Sequence, residues 1–251
     1  MVATPAWPPR STPRLHVEVP LVPGALTIEG ASAQYLLQVM RVKVGDPVKL
    51  FDDVSGEWLA LARDVRKRDL IVELTEHLRP REPVPDLWLC AAPLKKGWVD
   101  WMAEKACELG VARLVPVITR RTVVETPKLE RLRAHMVEAA EQCDRTALPN
   151  LAAPVKLTAL LAAWPEERTL FFADEILSDA AGGAPALPAM RARPGPAAVL
   201  IGPEGGFDDS ERAAIREHPQ AVGIGLGPRI LRADTAAAAA VSLWMAAAGD
   251  W

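Results

Sequence analysis

Two stretches, LIGPEGGFDDSE at 200–211 and GIGLGPRILRADTAAAAA at 223–240, govern how this chain is read. In the first, an apolar strand ends at Ile201, residues 202–206 make a tight turn, and Asp208 with Glu211 three positions later has the pattern of a helix capping box. Gly202, Gly205 and Gly206 carry no side chains, so backbone N–H and C=O groups can approach a ligand closely, and Gly205 is expected at a positive-φ position. The second stretch repeats the arrangement. Gly223, Gly225 and Gly227 lie in or just after an apolar strand, Arg229, Arg232 and Asp234 bring charge, and an alanine-rich helix follows. In open α/β sheets ligands sit beyond the carboxyl ends of the strands, where both loops would fall. On spacing alone two plain turns remain an alternative, with Asp234 capping the last helix and the arginines solvated.

A dinucleotide-dependent oxidoreductase would need a glycine where Pro228 stands, and its glycines should follow the strand rather than lie within it. No GxxxxGK[ST] occurs, which argues against a nucleoside triphosphatase. Working outward, DLWLCAA (86–92), a helix from Trp98 to Leu109 closed by Gly110, ARLVPVI (112–118), a helix opened by Thr126-Pro127 and running to about Cys143, TLFFA (169–173) and AAVLI (197–201) alternate in βα fashion. That series predicts an α/β domain with a parallel sheet covered on both faces. Residues 181–196, AGGAPALPAMRARPGP, read as a long flexible loop.

Upstream, RPREPVPD at 79–86 carries Pro80, Pro83 and Pro85 and reads as a linker. The expected division is therefore a domain at 1–79, a linker at 80–86 and a second domain at 87–251. β-type runs at 15–19, 48–52, 58–65 and 70–74, broken by Gly45-Asp46, Ser55-Gly56 and Arg68-Asp69, predict a small β-barrel or sandwich. One amphipathic helix interrupts it, with Ser32 as N-cap and Tyr35, Leu36, Val39 and Met40 at helical spacing.

The 251 residues are 50% hydrophobic and 24% charged, the composition of a globular protein, with a net charge of −3 that leaves no protein-wide field for nucleic acid. Any such binding must be local. Residues 95–133 hold nine Lys/Arg against five Asp/Glu, and Arg63, Arg66, Lys67 and Arg68 form a second group. Arg10 and Arg14 lie in a proline-rich start expected to be mobile enough to reach over the glycine loops. Three separated cysteines without a CxxC pair argue against disulfides and structural zinc, so no metal is expected. The start of the chain has no export-type apolar run and 235–248 is too short to span a bilayer, so a cytoplasmic protein without membrane contact is expected. All four histidines lie outside the two glycine loops, and the eight tryptophans read as core and interface residues.

Together the two loops resemble the bacterial 16S ribosomal RNA uracil-N3 methyltransferases, SPOUT-class enzymes that use S-adenosylmethionine. LLQVMRVKVGDPVKLFD (36–52), KKGWVDWMAEKACELGVARLVPVITRR (95–121) and EQCDR (141–145) agree in order and spacing, so the resemblance spans nearly the whole chain. Gln34, Asp144 and Asp234 depart from it, standing where histidine, glycine and glutamate are usual. The resemblance implies a PUA-like β-barrel that binds RNA, followed by a catalytic domain with a deep trefoil knot, a homodimer, and 16S rRNA within the small ribosomal subunit as substrate. It places the cofactor against Gly202, Pro203, Glu204, Gly205, Gly206, Phe207, Leu226, Gly227, Ile230 and Leu231, with Ile230 and Leu231 over the adenine. Arg232 and Asp234 become the catalytic residues, Asp234 holding Arg232 or taking a proton. The RNA-binding set is Arg10, Arg14, Arg41, Lys95, Lys96, Arg120, Arg121 and Arg145. The apolar last helix would pair across the dimer through Trp244.

Overall fold

Alternation at period two buries Val48 and Leu50, Ala60 and Ala62, and Leu70, Val72 and Leu74 on one side of a sheet, which is why these segments form strands around a common core. The computed structural model describes residues 8, 11–95, 97–173 and 184–251, and the chain falls into two units, 1–83 with 140–147, and 84–139 with 148–251. In the first unit lie β1 (Arg14–His16), β2 (Gly24–Ile28), β3 (Pro47–Asp52), β4 (Gly56–Val65) and β5 (Leu70–Arg79). They form a sheet in the order β1-β3-β4-β5-β2, antiparallel except for the β1–β3 pair.

Helix α1 (Gly30–Gln34) continues as a π-type turn over Tyr35–Val39. Glu29, not Ser32, occupies the N-cap, and no side chain caps the helix. The wider turn shifts the helical phase, so the expected apolar face divides: Leu36 is fully buried while Tyr35, Val39 and Met40 are exposed. Arg41 closes the turn at φ 55, a left-handed conformation uncommon outside glycine.

Two of the expected RNA ligands belong to the interior of this unit. Arg14 is 9% exposed; its Nε pairs with Glu57, its Nη1 donates to Ala140 O at 2.5 Å, and its Nη2 donates to Arg145 O at 2.8 Å. Its guanidinium also stacks 3.8 Å from the Phe51 ring centroid. Arg145 is 5% exposed, with Nε 3.3 Å from Glu82. A guanidinium enclosed in this way has no face left for a phosphate. These bonds explain why 140–147 joins the first unit, whereas the expected division gave it to the second domain.

In the second unit run β6 (Leu87–Ala91), α2 (Trp98–Glu108), β7 (Arg113–Ile118), α3 (Leu129–Gln142), β8 (Asn150–Leu151), β9 (Val155–Lys156), α4 (Leu157–Ala162) and β10 (Thr169–Ala173). There follow β11 (Ala184–Pro185), α5 (Ala186–Arg191), β12 (Ala197–Ile201), α6 (Asp209–Glu217), β13 (Ala221–Gly225) and α7 (Ala233–Ala248), α3 ending in the segment assigned to the first unit. All described pairings here are parallel, in the order β11-β13-β10-β12-β6-β7-β8 with β9 also on β7. All five residues of β12, AAVLI, are buried, as expected for a central parallel strand. The expected loop at 181–196 is a helix in part: Ala186, Ala189 and Met190 give α5 a buried face that packs on α7, and 181–183 lie outside the described residues. Trp244 is 2% exposed in the single chain, so its ring fills the subunit's own core rather than a dimer contact.

At the amino ends of these strands Arg168 donates to Asp86 O and Ala197 O at 3.1 and 3.0 Å and pairs with the Asp86 carboxylate at 2.8 Å. Its guanidinium lies 4.0 Å from the Trp88 ring, with Arg113 at 4.6 Å from the same ring. This clamp fixes the sheet at the end opposite the glycine loops.

Candidate active site

Strands β12 and β13 flank β10, so the loops leaving their carboxyl ends meet in one place. They enclose a cleft of about 420 Å³. The first loop gives it Gly202, Pro203, Glu204, Gly206 and Phe207, the second Leu226, Ile230 and Leu231, and the start of α7 Arg232 and Asp234. Ala173, Ile201 and Ile224 form part of its apolar wall. Gly205 and Gly227, also expected to hold cofactor, do not line the cleft.

Local sequence explains the first loop. Asp208 accepts from the Glu211 amide at 2.8 Å while the Glu211 carboxylate accepts from the Asp208 amide at 3.1 Å, the capping box read from the sequence. Hydrogen bonds from the Glu211 amide and the Ser210 hydroxyl, aided by the charge of Arg120, hold the Asp208 carboxyl below the usual range. A Cβ on Gly202 would stand 3.2 Å from the Phe207 ring, so that glycine lets the phenyl group fold under the loop. The positive φ lies at Gly206 (66°) and not at Gly205, whose absent Cβ would instead face Arg121 Cδ at 3.4 Å. The expectation at Gly205 is corrected accordingly: the sharp reversal falls one residue later, immediately before Phe207 turns inward.

Neighbouring loops hold this one in place. Glu204 accepts from the Lys95 amide at 3.1 Å, so its carboxylate satisfies a protein amide. Arg121 Nη1 donates to Gly205 O at 2.6 Å, and Arg120 bridges Asp208 at 3.2 Å while its amide donates to Glu211 at 2.8 Å. These two arginines, expected on RNA, are exposed yet serve as tethers of the glycine loop. Lys95 and Arg41 are exposed; Arg10 and Lys96 lie outside the described residues.

Arg232 is exposed and occupies the N-cap of α7 without a side-chain cap bond. Asp234 is 7% exposed within the first turn, where the helix dipole favours a carboxylate, and not at the capping position. It accepts from the Thr235 hydroxyl at 3.5 Å and makes no ion pair with Arg232, so it does not hold that arginine.

Arg212 and Trp98 are among the lining residues that escaped the reading of the sequence. Arg212, 8% exposed, donates from Nη2 to Phe207 O at 3.3 Å; it shares the buried face of α6 with Ile215 three residues on, and that spacing was the available signal. Trp98 begins α2 and is 42% exposed in the cleft. No helix among the described residues is long and apolar enough to cross a membrane, and they hold no cluster of three potential metal ligands.

A family model described as an RNA methyltransferase domain matches residues 80–245, and one described as an RNA methyltransferase PUA domain matches residues 28–75. A parallel sheet with a glycine-lined cleft at its carboxyl edge, preceded by a PUA domain, thus defines an RNA-modifying methyltransferase. More narrowly, the chain belongs to the family of the ribosomal RNA small subunit methyltransferases E. It is 31% identical to the Synechocystis member over 88% of this chain and 73% of that protein. With the Rickettsia conorii member it shares 29% identity over 83% and 84% of the two chains. A crystal structure of the Neisseria gonorrhoeae member bound to S-adenosylmethionine superposes with a TM-score of 0.84 at 25% identity, covering 96% of this chain and 99% of that one. A putative methyltransferase from Legionella pneumophila in complex with the same cofactor gives 0.82 at 28% identity over 96% and 99%. The oxidoreductase reading and that of a non-catalytic RNA-binding module are thereby set aside.

Proposed function

We propose that this protein transfers the methyl group of S-adenosylmethionine to N3 of one uridine in 16S rRNA of the small ribosomal subunit. The observation that carries the proposal is the convergence of both glycine loops and the start of α7 on one cleft. Its residues suit the cofactor: Gly206 at φ 66 exposes backbone where a side chain would be strained, and Leu226, Ile230 and Leu231 offer aliphatic surface to a flat base. When bound, the cofactor supplies an electrophilic methyl group on a sulfonium.

The chain's own contribution is placement and charge. Uracil N3 must lose its proton as the new C–N bond forms and the S–CH₃ bond breaks. Arg232, exposed at the cleft, presents planar donors to the imide oxygens, on which negative charge develops. Asp234, buried in the same lining, is the candidate to receive the proton, since the Glu204 carboxylate already accepts the Lys95 amide. Holding the reactants in register accounts for much of the acceleration, on the order of 7 kcal/mol for well-oriented pairs. The reading extends to a cytoplasmic homodimer whose last strands and helix form a trefoil knot, with the PUA-type unit contacting RNA.

Mass mapping of rRNA from a deletion strain tests it: one uridine N3-methyl group should vanish and return when the gene is restored. An unchanged methylation map removes the proposal. Calorimetric titration should detect S-adenosylmethionine and no NAD.

A further inference from the structure

Most tryptophans described are tied into the protein. Trp164 and Trp244 are buried, and Trp58, Trp88 and Trp101 are half-buried. Trp251 is 62% exposed but does not line the cleft, whereas Trp98, 42% exposed, is the one described tryptophan that does. It precedes Met102 by one helical turn and Ala106 by two, and those residues are 4% and 1% exposed. The core-facing stripe of α2 therefore runs out of the interior and ends in a partly exposed indole at the cleft.

Its position sets it apart from the cofactor surface. The glycine loops after β12 and β13 supply backbone and aliphatic side chains, whereas Trp98 is the first residue of α2, directly after a third loop, between β6 and α2. That loop is fixed against the first by the Lys95 amide bonded to Glu204 at 3.1 Å. Exposed Lys95 stands three residues before the indole, so one short segment offers both a cation for phosphate and a π-face for a base. Arg232 lines the same cleft. We propose, resting on the methyltransferase reading above, that Trp98 is the stacking platform on which the target pyrimidine lies while its N3 edge faces Arg232.

Stacking on a π-face differs from simple apolar contact, which gives the test its form. The parent protein, Trp98→Phe, Trp98→Leu and Trp98→Ala are compared in methylation of undermodified small subunits, with KM and kcat separated. Cofactor affinity is measured by calorimetry, and folding is checked by circular dichroism. Trp98→Phe should keep most of the activity, while Leu and Ala lose roughly tenfold to a hundredfold in kcat/KM with cofactor affinity unchanged. Leu performing as well as Phe, a parallel fall in cofactor affinity, or no loss in any variant overturns the assignment. A parent protein that transfers no methyl group to rRNA overturns the functional reading itself, whereas an active parent with indifferent variants removes only the role of Trp98.

Discussion

Replacing Arg14 by alanine separates a structural arginine from an RNA ligand, because the two roles predict opposite results. In the folded protein its guanidinium meets Glu57, Ala140 O, Arg145 O and the Phe51 ring at once. Truncation leaves two carbonyls without their donor and leaves Glu57, 4% exposed, with Arg79 at 2.9 Å as its remaining guanidinium. Breaking one side of a buried ion pair costs about 3–5 kcal/mol, a large part of the about 5–15 kcal/mol that stabilises a domain. With a urea slope of about 2 kcal/mol/M, the unfolding midpoint of the first unit should fall by about 2 M. Arg14→Lys should recover less than half of that, since an ammonium cannot reach all these partners from one point. The assay is urea unfolding followed by circular dichroism, beside RNA binding at a temperature where the variant stays folded. An unchanged midpoint combined with lost RNA affinity would refute the structural role and return Arg14 to the RNA surface.

Gly206→Val should abolish S-adenosylmethionine binding by calorimetry while the melting curve keeps a single folded baseline, because a branched residue is strained at φ 66 in the cleft wall; undiminished affinity would remove this loop from the cofactor site. Arg232→Ala should lower single-turnover methylation on the order of a hundredfold and leave cofactor affinity intact, with poor rescue by lysine; an equal loss of both would move Arg232 to the cofactor. Burial by itself raises the Glu57 carboxyl, but hydrogen bonds from Arg79 and Arg14, with their charges, outweigh it and hold the carboxyl below its ordinary value. The stability this contributes is therefore complete above the unfolded pKa of about 4.3 and is lost as pH falls through the lower folded value, so urea midpoints should drop on acidification and Glu57→Gln should flatten that drop.

The glycine loops were legible because strand, turn and capping box are all local patterns. Continuous apolar runs such as AAVLI and TLFFA likewise announced buried parallel strands. What stayed hidden depends on contacts far apart in sequence. The Arg14 bonds to Ala140 and Arg145 span more than a hundred residues, and no local pattern distinguishes a buried guanidinium from a solvated one. Helix α5 was masked by its glycine- and proline-rich surroundings, although Ala186, Ala189 and Met190 already had helical spacing. The π-type turn at Tyr35–Val39 offset the apolar face assigned to α1, a phase change that the usual 3.6-residue period does not anticipate.

The same distinction among arginines bears on how a base is held. Three arginines and two carboxylates line the cleft, Arg212, Arg229 and Arg232 against Glu204 and Asp234. Arg212 is buried and Glu204 is already bonded to an amide, while Arg120 and Arg121 are committed to the loop behind them. The lining thus carries one more guanidinium than carboxylates, a small positive excess. Attraction between phosphates and basic side chains brings RNA to a protein without selecting a nucleotide. Selection of one base has to come from short-range contacts within the cleft. On the reading proposed above, directional donors on Arg232 would read the edge of a pyrimidine and the indole of Trp98 its face, both from the lining of the cleft.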